Sequence, residues 1–390
     1  MNNSETVIRG IHYQKKKPIE VFIDKGKIKQ INEISGLNKP EAVITPGLID
    51  LQVNGFMGKD FNKNALHNNE WKEVIHELAK VGVTTFYPTI ITNSVQHLET
   101  IFEENVTQLS SDNINADLIG GFHLEGPYIS REDGPRGAHF KEYVKHPDWN
   151  EFSRIQERAQ GMIKVVTLSP EWDDSRDFVE KASSSGVKVT IGHTAASTNQ
   201  IHEAVRAGAV LSTHLGNGAH LSLPRHPNYI WDQLAEDSLW ASVISDGNHL
   251  PANVLKVINK VKHEKMILIS DSVALAGMEP GNYRQAVGGE VTLTKNGRLH
   301  LKDHYNLLAG SAQYLLQGVQ NLVKYQISHF EEAINKASIY PAKLMDLPQK
   351  NGLEVGAPAD IILLQTDTPE FEVLETYKNG ECIYKKGSER

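Results

Sequence analysis

A single cysteine, Cys382, in 390 residues leaves no intrachain disulfide to form. The fold must rest on packing and hydrogen bonding, and a reducing compartment is the expected setting. No apolar run approaches the roughly 18 residues that a membrane-crossing helix needs. The opening MNNSETVIRG has no apolar core of a secretory signal. Positive charge is also short: 40 Lys and Arg stand against 48 Asp and Glu, a formal net charge of −8. That balance argues against nucleic acid or an anionic membrane surface as a partner. Low-complexity linkers and internal repeats are missing as well. These absences predict a soluble cytoplasmic chain, long enough for one large core and a smaller appendage.

What the sequence does have is histidine, 17 residues of it, and a regular succession of apolar runs. LIDLQVN, TTFYPTI, ADLIGGFHLEG, IKVVTLSPE, VKVTIGHT, VLSTHLGN, WASVISDG and KMILISDS follow one another. Helix-like segments such as WKEVIHELAKVG and TNQIHEAVRAG lie between most of them. Strand-type runs alternating with helical ones predict an α/β fold of βα units with a parallel sheet. Eight runs fit a closed (β/α)8 TIM-type barrel. The two ends have another texture. VIRGIHY, IEVFID and KIKQINEI near the start, and ADIILLQTD and FEVLETYKNGECIYKKG near the finish, read as short strands, with Asn379-Gly380 a hairpin turn. They predict a small β-sandwich domain built from both termini, residues 1–48 with 355–390, beside a barrel of residues 49–354. AVGGEVTLTKNGRLHLKD predicts a further hairpin about Asn296-Gly297, and LLAGSAQYLLQGVQNLV a helix that closes the barrel.

Polar residues end the apolar runs: Glu125, His193, His214, Asp246 with His249, and Asp271. In a barrel the C-terminal strand ends supply the catalytic groups. One strand-end histidine is most simply a hydrogen-bonded structural residue; several that share one barrel mouth point to a site. Glu125, at the end of a buried run, needs a partner, a metal or a role, because an unpaired buried charge is costly. Two histidines and a glutamate are a zinc ligand set that leaves one position open. Their spacing is no compact metal motif, so strand-end placement carries this reading. Asp271 is either an acid/base carboxylate or the N-cap of a following helix.

In this order HLEGP, GHT, STHLGN, SDGNH, ISDS and LLAGSA resemble the N-acetylglucosamine-6-phosphate deacetylases of the amidohydrolase superfamily, along nearly the whole chain. The resemblance implies hydrolysis of N-acetyl-D-glucosamine 6-phosphate to glucosamine 6-phosphate and acetate. It implies one divalent metal ion on Glu125, His193 and His214, zinc foremost, though iron, manganese and cobalt accept the same donors. It implies Asp271 as general acid/base, His139 in PRGAHF as a contact near the scissile amide, and Asn217 and Gly218 as contacts to the sugar. It places Arg225 in LPRHPN and His249 on the phosphate, Arg225 being offered by the neighbouring subunit of a homodimer.

Three departures qualify the match. Many amidohydrolases carry a His-x-His pair on the first strand for a second metal; DLQVNG has Gln52 and Asn54 instead, and neutral amides are poor ligands. In THLGNGAH the glycines and His220 reshape the wall near the sugar, which supports a second reading: the same machinery acting on another N-acetylhexosamine or amide. Arg131 and Arg136 in SREDGPRGAH are either surface charge or auxiliary phosphate contacts. A third reading, a non-catalytic scaffold, gives no reason to keep the buried polar set. Glu171 reads as a ligand-orienting residue or a salt-bridge partner, and Asp50 as a cap or brace of the first strand.

Overall fold

The computed structural model describes residues 6–36, 42–110, 115–285, 289–368 and 370–388. Strands β1 (Thr6–His12), β2 (Pro18–Asp24), β3 (Lys27–Glu33) and β4 (Val43–Pro46) open the chain. In β2 the buried residues Ile19, Val21 and Ile23 alternate with more accessible ones, as in an antiparallel strand with one wetter face. The next strand, β5 (Leu48–Val53), is buried at every position. Its lack of alternation marks a strand covered on both sides.

A small hairpin of β6 (Gly55–Phe56) and β7 (Lys59–Asp60) follows. The chain then enters β8 (Val83–Ile91), β9 (Phe122–Glu125), β10 (Ile163–Leu168), β11 (Lys188–Ile191), β12 (Ala209–Ser212), β13 (Trp240–Ile244) and β14 (Met266–Ile269). With β5 these form an eight-stranded sheet in chain order, each neighbour parallel to the last. The sheet closes on itself. Val53 bridges Ser272 in parallel, and the Asp271 N–H donates to the Gln52 carbonyl at 3.0 Å. Asp50 braces this seam, its Oδ1 accepting the Ser270 N–H at 3.1 Å, and burial pushes its carboxyl up to about 7. Helices cover the outside; Asn68–Lys80 buries Trp71, Val74, Ile75, Leu78 and Ala79, the stripe expected of an amphipathic helix. No helix among the described residues is long and apolar enough to cross a membrane.

Strands β15 (Gly281–Gln285), β16 (Gly289–Leu293), β17 (Leu299–Leu301) and β18 (His304–Leu308) make a separate four-stranded antiparallel sheet. The β16–β17 turn runs through Asn296-Gly297. The helix expected from LLAGSAQYLLQGVQNLV begins only at Leu315. Leu307 and Leu308 end β18, and Ser311 bridges Ser272. Gly310 between them has φ +102°, which no helix accommodates.

Strands β19 (Ile361–Gln365), β20 (Glu372–Lys378) and β21 (Glu381–Lys385) return to the first sheet, giving the seven-stranded order β21-β20-β19-β4-β1-β2-β3. Asn379 and Gly380, at φ +48° and +78°, make the β20–β21 turn in the primed geometry this dipeptide favours. Lys378 ties this sheet to the barrel. Its Nζ donates to Asp360 Oδ2 at 2.8 Å and to Thr85 Oγ1 on β8 at 3.1 Å. Asp360 also accepts from Asn379 N and Gln349 Nε2, both at 2.9 Å. Lys378 and Asp360 are both buried, so removing one partner strands the other's charge. Asp360→Ala is expected to cost about 3–5 kcal/mol in urea unfolding, and adding Lys378→Met to restore part of that loss.

Candidate active site

Glu125 is the last residue of β9; His193, His214 and Asp271 each follow their strand by two residues. The three have φ of +50°, +32° and +48°, a region costly for residues with a Cβ. Such strain amounts to about 1–3 kcal/mol per residue and persists where surrounding structure imposes it. Here it turns the chain off the strand at the barrel mouth, where His193 and His214 are buried and Asp271 is half-buried.

Three nitrogens converge on one oxygen, Glu125 Oε1: Gln52 Nε2 and His214 Nε2 at 2.9 Å and His193 Nε2 at 3.2 Å. Burial opposes charge on Glu125, but its contacts with His193 and His214 overturn that and hold the carboxyl well below its ordinary range. Burial likewise acts against charge on His214, and Glu125 reverses it, raising the imidazole. His193 Nδ1 lies 2.8 Å from the Pro135 carbonyl. A carbonyl only accepts, so Nδ1 carries the hydrogen, and in the neutral ring Nε2 offers a lone pair toward a carboxylate. That juxtaposition calls for a positive charge between them. The ligand atoms of Glu125, His193 and His214 all lie within 4.8 Å of one another, so this donor set fits a divalent cation. Gln52 meets Glu125 through an N–H and is not a fourth ligand.

Asp271 sits across from this cluster. Burial first, and then the negative charge of Glu125, push its carboxyl up to about 6. Asn54 Nδ2 donates to Asp271 Oδ1 at 2.7 Å and fixes the carboxylate. Gln52 and Asn54, which stand where a His-x-His pair was absent from the sequence, are thus the donors that hold Glu125 and Asp271. The His139 ring meets His193 edge-on at 4.4 Å between centroids, and its Nδ1 lies 2.8 Å from Thr92 Oγ1, leaving Nε2 for a ligand. Burial, then His193, pushes His139 down to about 3. His249 Nδ1 is 2.8 Å from Asp246 Oδ2, and His249 is near enough to act on Asp271 electrostatically.

The flanking loops press on His193. A Cβ on Gly218 (φ +56°) would lie 2.7 Å from His193 Nδ1, and Asn217 folds its N–H back onto the His214 carbonyl at 2.9 Å. Glu171 accepts from Ser130 Oγ, Ser169 Oγ and Ala195 N, and so anchors the segment that follows His193. Arg136 donates to the His139 carbonyl at 2.8 Å and pairs with Asp133; Arg131 donates to the Val144 carbonyl. Arg136 serves its own loop, and Arg131 also lies over the Trp172 ring of the loop after β10. His220 lies 3.0 Å from the Tyr229 hydroxyl and 2.9 Å from Glu132, joining the loop of His139 to the loop of Gly218. Beside this contact opens a cleft of about 420 Å³ lined by Glu132, His220, Leu223, Pro224, Tyr229 and Asp232, among others. Arg225 is exposed, with no side-chain partner among the described residues, so no contact ties it to the cluster. Gly218→Ala should displace the His193 ring and weaken divalent-cation binding by about tenfold or more in calorimetric titration of the metal-free chain.

The amidohydrolase family model matches residues 43–383. The N-acetylglucosamine-6-phosphate deacetylase of Bacillus subtilis is 30% identical over 350 residues, covering 88% of this chain and 85% of that one. The Caenorhabditis elegans protein of the same name is 30% identical over 357 residues, covering 88% and 82%. The crystal structure of N-acetylglucosamine-6-phosphate deacetylase from Thermotoga maritima superposes with a TM-score of 0.84 at 25% identity, covering 98% of this chain and all of that one. The metal-type ligand set at the barrel mouth and this likeness along the chain lead to one conclusion: the chain belongs to the amidohydrolase family, among the N-acetylglucosamine-6-phosphate deacetylases.

Proposed function

We propose that this chain is a metal-dependent hydrolase that removes the acetyl group of N-acetyl-D-glucosamine 6-phosphate. One observation carries the reading. Glu125, His193 and His214 bring three metal-type ligand atoms together, with the raised carboxyl of Asp271 beside them, in a chain whose relatives bear that name. The same residues support a single divalent ion per chain, zinc foremost, since the amides of Gln52 and Asn54 donate to carboxylates.

Glu125, His193 and His214 would hold the ion, which when bound supplies Lewis acidity at the barrel mouth. Asp271 takes a proton from the attacking water as the new C–O bond forms on the acetyl carbon. It then delivers that proton to the amide nitrogen as the C–N bond breaks, so acetate and the free amino sugar leave. Asn54 occupies Oδ1 of Asp271, which assigns the proton traffic to Oδ2. Burial raises the Asp271 carboxyl, which makes it a better base than an ordinary aspartate. His139 offers Nε2 to the amide end of the substrate, and Asn217 and Gly218 border the sugar. His249, oriented by Asp246, and Arg225 would anchor the phosphate. Because Arg225 stands exposed with no side-chain contact to its own cluster, the reading includes a homodimer in which each chain lends Arg225 to the other.

Purified, metal-loaded chain should release acetate from N-acetyl-D-glucosamine 6-phosphate much faster than from the unphosphorylated sugar. Turnover of neither, with the ion bound, would move the search to another amide and to the THLGNGAH wall. Asp271→Asn should lower kcat by about 10²–10⁴-fold with the ion retained, and elemental analysis should find one ion per chain rather than two. In mixed dimers, Arg225→Ala and Asp271→Asn chains should regain part of the activity each lacks alone; no recovery would sink the shared site.

A further inference from the structure

Directly beneath the Glu125 cluster the barrel interior holds His123, Thr167, Thr190 and Thr213. All four are buried, with Thr167 and Thr190 fully inaccessible. His123 lies two residues before Glu125 on β9 and so faces the same side of the strand. Its Nδ1 is 3.2 Å from the Leu51 carbonyl and its Nε2 is 2.7 Å from Thr167 Oγ1. Thr167 Oγ1 is in turn 2.8 Å from Thr190 Oγ1 and 3.1 Å from Thr213 Oγ1, and those two are 2.7 Å apart.

The protons in this belt have one arrangement at its centre. The Leu51 carbonyl can only accept, so His123 Nδ1 carries the hydrogen and Nε2 must accept. Thr167 therefore spends its single proton on His123 and turns its lone pairs toward Thr190 and Thr213. Each member adjoins a group of the cluster above. Leu51 precedes Gln52, His123 shares β9 with Glu125, and Thr167 pairs in register with Glu125. Thr190 lies on the strand that leads to His193, and Thr213 is followed at once by His214. Barrel interiors are ordinarily filled by Val, Ile and Leu, and valine has threonine's shape. Three contiguous hydroxyls in a dry layer are therefore a directional device more than a filling.

We propose that His123 and the Thr167–Thr190–Thr213 triad are positioning residues, a hydrogen-bonded floor that sets the relative placement of Glu125, His193 and His214 for the cation. This rests on the metal reading given above.

The test compares cobalt(II) affinity of metal-free wild type, Thr167→Val and Thr167→Ser by titration, with unfolding midpoints of the metal-free chains measured alongside. Thr167→Val keeps the shape and removes the hub hydroxyl; it should bind about 10–100-fold more weakly, the usual effect of losing an outer-shell partner. Thr167→Ser keeps the hydroxyl and should bind like wild type. Wild-type affinity in Thr167→Val, whatever its unfolding midpoint, would reduce the belt to core packing and overturn the proposal. A wild-type chain that binds no cobalt would overturn the metal reading itself, a result distinct from the first. If Thr167→Val does not fold, Thr190→Val is titrated instead, with the same expected direction and the same overturning result.

Discussion

A carboxylate inside a protein must be met by charge or by hydrogen bonds, and Glu125 is met on a single oxygen by Gln52, His193 and His214. Those partners come from the first, fifth and sixth strands of the barrel or the residues just after them. They reach Glu125 because the sheet curls into a barrel. The cost of the buried charge and the geometry of the barrel are thus one constraint: an open sheet would leave β5 and β14 apart, with Gln52 far from the segment of Asp271. The seam contacts from Asp50, Gln52 and Val53 to residues 270–272 hold the Asp271 carboxylate at a set distance from the Glu125 cluster.

The same constraint explains where the backbone is strained. Leaving a strand in ordinary β or helical conformation would carry His193, His214 and Asp271 along the strand axis or outward over the rim. The left-handed turns reverse the chain within two residues of each strand end. The His193 ring then packs between the Pro135 carbonyl and Gly218. Glycine is required there by space, because a Cβ would occupy the imidazole's place. Strain at three residues is offset by hydrogen bonds that only this arrangement makes, from His193 Nδ1 to the Pro135 carbonyl, from His214 N to Ser242 Oγ and from Asn54 Nδ2 to Asp271 Oδ1.

The barrel was legible because parallel strands covered on both faces read as unbroken apolar runs, and a polar residue at the end of each stands out against them. Glu125, His193, His214 and Asp271 are found that way. The helix from Leu307 was misread for a local reason: apolar periodicity continues through Gly310, and only its positive φ breaks it. The partners of the supporting residues were illegible for a different reason. Asn54 and Asp271 lie 217 residues apart, and Glu171 collects donors from three separate loops. Nothing local distinguishes such residues from surface polar groups; their partners are defined by closure of the barrel. Arg225 is the opposite case, a charge named by the family pattern whose own chain offers it nothing.

Gln52 and Asn54 show how this difference shapes the chemistry. Histidines at these positions would add two ligands and invite a second cation between Glu125 and Asp271. The carboxamides instead present N–H groups to both acids, at 2.9 and 2.7 Å. The one divalent ion proposed would then balance the two carboxylates, leaving the cluster neutral without further charge. Asp271 is held by a neutral donor, Asn54, and burial raises it. A second ion would pull that carboxyl down and engage the oxygen that has to move the proton. In the proposed reaction, donors in place of ligands leave Asp271 free to act as both base and acid, so the proposed one-ion site and the aspartate mechanism stand or fall together.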